Sequence, residues 1–192
     1  MEKLAKFIEY LESIDRHLFL LINGLHSPII DKLMLYVSGI SLWIPLFLWI
    51  LFALYKAYPG KQLLWVLLAI AASITITDRL SVEAFKEVFL RYRPCYNTEI
   101  QSMVHLVKDS CGGKFSFISS HASNFSGIAM LIFMLLKFEY KNIGWFLALW
   151  VLLISYSRIY IGVHYPADVI GGIIFGSVVG WLIYKLVSRV ID

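Results

Sequence analysis

Residues Ser157 to Asp168 hold an arginine, a histidine and an aspartate between two long apolar runs, Ile143 to Ser155 and Val169 to Val187. A chain this apolar offers few places for such groups to meet, so their spacing invites a chemical reading. Pro166 suits the first turn of the following helix, where its missing N–H costs nothing. Asp168 then falls in that same turn, with His164 just ahead of it on the entering loop. A carboxylate there accepts the N–H of one imidazole nitrogen, which fixes the tautomer and leaves the other nitrogen free as a nucleophile. Arg158, at the outer end of the preceding span, offers a planar fork of donors for a tetrahedral oxyanion. Taken alone, the same three residues also read as interfacial anchors.

Two upstream clusters add to this set. Lys86 and Arg93-Pro94 stand in a Lys-x6-Arg-Pro pattern. Seven residues are about two helical turns, so the spacing predicts Lys86 and Arg93 on one face of a helix that Pro94 stops. Glu83, Lys86, Glu87 and Arg91 are near neighbours at helical spacing, and some of them read as ordinary surface pairs. A solvated amphipathic helix is the alternative for this segment. The second cluster, Ser119-Ser120-His121, opens the apolar run Ala122–Leu136. Serines there can cap a helix whose first N–H groups form an anion site. Capping explains the serines but not a histidine beside a membrane.

Together the three clusters resemble the signature of the type 2 phosphatidic acid phosphatase family, relatives of the vanadium-dependent haloperoxidases. Its parts are Lys-x6-Arg-Pro, Pro-Ser-Gly-His and Ser-Arg-x5-His-x3-Asp. The first and third are matched at every position, whereas Ile118 and Ser120 replace the proline and glycine of the second. Glycine allows close backbone approach to a ligand. Serine keeps the N–H, so an altered pocket is expected rather than a lost one. The resemblance implies a two-step hydrolysis. His164 attacks phosphorus to form a phosphohistidine, with Asp168 orienting it. His121 protonates the leaving oxygen and then activates water. Lys86, Arg93, Ser119, Arg158 and the Ser120 N–H hold the phosphate oxygens.

The residue types agree with this reading. Three cations, two histidines, serines and one carboxylate make a site for an anion, whereas a divalent metal calls for more acidic or uncharged ligands. Phosphoryl transfer is mostly positioning and charge stabilisation. No metal, other cofactor, nucleotide or nucleic acid is called for. A non-catalytic anion-binding or transport protein is the rival class, but a mere binder has no need of a His-Asp pair beside a second histidine. A haloperoxidase is disfavoured because those relatives are soluble.

The elements that must position these groups follow from composition. Hydrophobic residues make up 59% of the 192 and charged ones 16%, against roughly a quarter charged in a soluble domain. The length suits one domain, 1–192. The expected fold class is all-α, a polytopic membrane helix bundle of five to six transmembrane helices. A span needs about 20 mostly apolar residues, and five segments are expected near Ile29–Tyr55, Leu63–Arg79, Ala122–Leu136, Ile143–Tyr156 and Val169–Val187. Pro45 would kink the first of these in its middle. Gly172, Gly176 and Gly180 give the last a doubled small-xxx-small face for close packing. In residues 1–25, Leu4, Phe7, Ile8, Leu11, Ile14 and Leu18 recur at helical spacing opposite charged residues. That pattern predicts an amphipathic helix lying in the interface, or a partial span. The mixed charge at the N-terminus does not suit a cleavable signal peptide.

Residues 93–120 include the one long loop, and a loop of this length is more often functional than not. Cys95 and Cys111, the only two cysteines, bracket it. They suit a disulfide where the loop faces an oxidising compartment and are free thiols where it does not. Parity brings all three clusters to one membrane face, because the second and fourth spans end where the third and fifth begin. All but six of the 17 lysines and arginines lie on that face, which by itself favours a cytoplasmic site. The cysteine pair and the resemblance favour an extracytoplasmic site in a bacterial inner membrane. A site at that level suits a lipid whose phosphate reaches the headgroups. Undecaprenyl diphosphate is preferred for so compact a chain, with phosphatidylglycerol phosphate, phosphatidate and lipid A phosphates as alternatives.

Overall fold

The computed structural model describes residues 2–108 and 110–191. Seven helices are found among the described residues: α1 (Glu2–Asn23), α2 (Pro28–Ser38), α3 (Ile44–Ala57), α4 (Lys61–Phe89), α5 (Ser120–Leu136), α6 (Ile143–Tyr160) and α7 (Pro166–Ile191). Short 3-10 turns fill Ser41–Trp43, Pro94–Tyr96 and Gln101–Met103. The protein is all-helical, with no strand among the described residues. Among those residues α4, α6 and α7 are long and apolar enough to cross a membrane. The 41–57 segment and α5 are apolar but shorter, and α1 and α2 form a pair bent by 115°.

The core lies between α3, α4, α5, α6 and α7, with Leu54, Val66, Leu131, Ile132, Trp150, Ile154 and Ile183 among its buried members. Helices α5 and α7 pack along most of their length. The small face does this: a Cβ at Gly176 would run into the Ser123 carbonyl, and one at Gly180 into the Gly127 carbonyl. Without side chains there, the two backbones come into direct contact and van der Waals packing holds the pair. Large apolar side chains elsewhere point outward, among them Leu48, Phe52, Leu68, Leu149, Ile174 and Leu186. A surface that apolar is stable only against lipid.

Two expectations need correction. The segment expected as one span from Ile29 to Tyr55 is two helices, α2 and α3, separated by the 3-10 turn. Pro45 therefore sits in the first turn of α3, where it lacks no helical hydrogen bond, and kinks nothing. Helix α4 also stops before Pro94. It widens into a π-helical stretch over Ser81–Lys86 and ends at Phe89, where Leu90 takes a left-handed conformation at φ 51°. Arg93 lies beyond, in extended backbone. Lys86 and Arg93 are not two turns apart on one helical face.

Helix α1 carries its apolar residues on the outside. Leu4, Phe7, Ile8, Leu11, Ile14 and Leu18 are exposed, while Asp15, Phe19 and Asn23 are buried against the rest of the chain. The helix is amphipathic with two working faces, one apolar and one docked through polar contacts.

Candidate active site

Each expected cluster sits at a helix end or on the loop that joins α4 to α5. Ser119 caps α5: its Oγ accepts from the Ala122 N–H at 3.4 Å, and its own N–H donates to the Asp168 carbonyl at 2.9 Å. That bond ties the start of α5 to the start of α7. Pro166 is the first residue of α7, as its fixed φ predisposes it to be. Asp168 stands in the same turn and is fully buried. Its Oδ2 accepts from the Tyr165 N–H at 2.8 Å. His164 is also buried, and its Nδ1 faces Asp168 Oδ2 at 3.5 Å, just beyond a normal hydrogen bond, with no closer partner. Such pairs are often loose before substrate binds. Burial pushes the His164 imidazole down to about 4, with Asp168 pulling the other way. The ring is therefore neutral at pH 7, the state a nucleophile needs.

The cations surround this pair. Lys86 Nζ donates to Ser120 Oγ at 2.7 Å, and Ser120 Oγ also lies 2.7 Å from Ser81 Oγ. Ser120 thus presents its hydroxyl between Lys86 and Ser81. Arg93 is held by the loop, donating through Nη1 to the Cys111 carbonyl at 2.6 Å and through Nε to the Phe115 carbonyl at 3.2 Å. Arg158 donates through Nη1 to Ser38 Oγ at the end of α2. Its Nε is buried with no hydrogen-bond partner among the described residues. His121 lies in the field of Arg158, His164, Lys86 and Arg93. Eight residues singled out in the sequence (Lys86, Arg93, Ser119, Ser120, His121, Arg158, His164 and Asp168) come to one end of the bundle. The surplus of positive charge there favours an oxyanion. No group of three or more His, Cys, Asp or Glu side chains among the described residues could hold a metal ion.

Cys95 and Cys111 are joined as a disulfide, with Cα atoms 6.4 Å apart. A short antiparallel contact between Tyr92 and Phe115 pairs the two ends of the same loop, with Arg93 N–H on the Lys114 carbonyl and Ser116 N–H on the Arg91 carbonyl.

Sequence reasoning missed Arg91 and Asp15. Arg91 is no surface partner of Glu83 or Glu87. Its guanidinium is mostly buried and bridges Asp168 and Asp15. Asp15 looked like one charge among many on the polar face of α1, and nothing in a local pattern marks it. A second arginine two residues before Arg93 was the available signal.

From the N-terminal end of α5 an apolar groove of about 480 Å³ runs along the helix. Ile50, Leu54, Leu67, Ile70, Ile128 and Ile132 wall it, and His121 and Asn124 stand at the end nearest the cations.

Comparison with known proteins agrees with the geometry. The chain is 38% identical over 184 residues to the lipid A 4'-phosphatase of Bacteroides thetaiotaomicron, covering 95% of this chain and 80% of that one. It is 36% identical over 179 residues to the lipid A 4'-phosphatase of Porphyromonas gingivalis, covering 93% and 75%. Among solved structures, a transmembrane PAP2-type phosphatidylglycerolphosphate phosphatase from Bacillus subtilis shares the fold, with a TM-score of 0.70 at 20% identity over 94% of this chain and 88% of that one. A profile of the PAP2 superfamily matches residues 62–192, which contain all eight of the gathered side chains, and the chain belongs to that superfamily.

Proposed function

We propose that this chain, a membrane lipid phosphatase of the PAP2 superfamily, removes a phosphate from lipid A or a closely similar glycolipid through a phosphohistidine intermediate. The observation that carries the reading is the junction of a half-buried, cation-rich cluster with an apolar groove that has His121 at its head. A phosphate in the cluster with an acyl chain in the groove satisfies both surfaces at once, which a soluble phosphate ester does not.

In the first step His164 Nε2 attacks phosphorus in line with the ester oxygen, while Asp168 holds Nδ1. His121 donates a proton to the departing alkoxide. Lys86, Arg93, Arg158 and the Ser119–Ser120 segment carry the charge of the three equatorial oxygens. In the second step His121 takes a proton from water, which attacks the phosphohistidine and releases inorganic phosphate. The reaction runs on side chains and needs no metal.

Similarity to two lipid A 4'-phosphatases at 38% and 36% identity supports that substrate. It outweighs the argument from compactness for undecaprenyl diphosphate, which becomes the competing substrate in the assay. The disulfide in the loop supports a site on the extracytoplasmic side, because thiols in the cytoplasm are kept reduced.

The test is phosphate release by the purified protein from lipid A, undecaprenyl diphosphate, phosphatidylglycerol phosphate and phosphatidate in mixed micelles. The expected result is the highest kcat/KM on lipid A, with the 4'-phosphate lost. Highest kcat/KM on undecaprenyl diphosphate would overturn the substrate assignment, and no release from any of them would overturn the phosphatase reading.

A further inference from the structure

We infer that Arg91 and Asp15 are positioning residues for the reaction, together clamping the Asp168 carboxylate that orients His164. The inference rests on the phosphatase reading for its consequence in turnover, but its geometry is independent of the substrate. Arg91 donates through Nη1 to Asp168 Oδ1 at 2.8 Å and through Nη2 to Asp15 Oδ2 at 2.6 Å. Its guanidinium lies over the Tyr165 ring, with Cζ 4.2 Å from the ring centre. The other oxygen of Asp15 accepts from the Ala167 N–H at 2.8 Å. Tyr165, Ala167 and Asp168 are thus all held by this pair.

The consequence for Asp168 is specific. Its Oδ1 belongs to Arg91, so Oδ2 alone is left for the Tyr165 N–H and the His164 imidazole. A carboxylate free to rotate would lose that aim, and a planar fork between two carboxylates is the arrangement guanidinium favours. Arg91 also neutralises part of the Asp168 charge. The groups facing His164 are Asp168 from α7, Arg158 from α6, His121 from α5 and Arg93 from the loop. Arg91 and Asp15 stand behind Asp168 as a second pair. Removing Arg91 leaves Asp168 to act on His164 unopposed, which makes the imidazole easier to protonate. Asp15 lies on α1, outside the residues 62–192 matched by the superfamily profile. The N-terminal helix therefore reaches the catalytic carboxylate through one arginine.

The experiment uses the full chain in detergent with Arg91→Gln, Arg91→Lys and Asp15→Asn. Three readouts are steady-state kinetics on the lipid substrate, inhibition by inorganic phosphate, and titration of the His164 imidazole followed by NMR. Arg91→Gln is expected to lower kcat about tenfold or more, the scale seen when a supporting partner of an active-site group is removed. KM and the phosphate inhibition constant should stay within about twofold, since neither residue touches the phosphate cluster. The His164 titration and the acid limb of the pH profile should move up by about one unit. Arg91→Lys should recover part of kcat. Asp15→Asn should lower kcat in smaller measure while moving the His164 titration down rather than up, because it removes a negative charge and leaves Arg91 to offset Asp168 more fully. Parental kcat and an unmoved titration in Arg91→Gln would overturn the inference. So would lowered thermal stability with an unmoved titration, which makes the pair a mere staple between α1 and α7. If Arg91→Gln does not fold, Asp15→Asn decides: lowered kcat with a downward shift of the His164 titration supports the inference, and parental kcat with an unmoved titration overturns it. A parent inactive on every lipid phosphate strikes the phosphatase reading instead, while the His164 titration still tests this one.

Discussion

Arg93 donates through Nη1 to the carbonyl of Cys111 at 2.6 Å, so one of the clustered cations takes its position from a disulfide-bonded residue. Gly112, next along the loop, has φ +76°, and a Cβ there would stand 3.1 Å from Arg93 Nη1. The loop is shaped around the guanidinium. Gly112→Ala should therefore strain the backbone and press Arg93 out of place, lowering kcat/KM about tenfold while far-UV circular dichroism stays unchanged. Parental kcat/KM in this variant would show that Arg93 tolerates the displacement.

The disulfide itself should be present before lysis. Protein alkylated in intact cells is expected to show no free thiol at Cys95 or Cys111. Closing a loop of this size stabilises by roughly 3 kcal/mol, mainly through the unfolded chain. Reduction should accordingly lower thermal stability and raise KM, without removing any group from the site. A membrane-impermeant thiol reagent, applied to outer-membrane-permeabilised cells carrying Cys111→Ser, should label Cys95. Labelling only after the inner membrane is opened would place the site in the cytoplasm.

His164→Ala should reduce phosphate release at least about a thousandfold with expression retained, as expected for loss of a nucleophile. Rapid quenching of the parent should trap an acid-labile, base-stable phosphoenzyme that the variant lacks. His121→Ala should cost about a hundredfold or more on lipid substrates. Its loss should be smaller on an aryl phosphate, whose leaving group needs no proton. Equal losses on both substrates would argue against the acid role.

The pH dependence follows from burial of His164. The group titrates at about 4 in the folded protein, below the roughly 6.5 of a free imidazole. The acid limb of kcat/KM should lie near pH 4 rather than 6.5, and a midpoint near 6.5 would show a solvated ring. Stability carries the same sign. The unfolded chain binds this proton more readily, so the contribution is complete above about pH 6.5 and is lost as pH falls toward 4.

EDTA should leave turnover unchanged, and orthovanadate should inhibit as a mimic of the five-coordinate transition state. Reactivation of a chelated enzyme by one divalent metal would contradict the side-chain mechanism.

Much of this was determined by the chain's local order. Runs of apolar residues mark the helices, because a bilayer leaves the backbone few other ways to satisfy its hydrogen bonds. Counting those runs places Lys86, Ser119, Ser120, His121, Arg158, His164 and Asp168 at one end of the bundle, since each lies where a helix starts or stops. Tertiary structure decided what periodicity does not encode. The spacing of Lys86 and Arg93 fits two helical turns, yet the helix ends at Phe89 and the loop delivers Arg93 through the Cys111 and Phe115 carbonyls. Pro45 reads as a kink until the chain is seen to break before it. Asp15 and Arg91 meet across 76 residues of sequence. Patterns of three, four or seven report only on neighbours along one helix. A charge buried by a distant partner looks, in the sequence, like any other charge on a polar face.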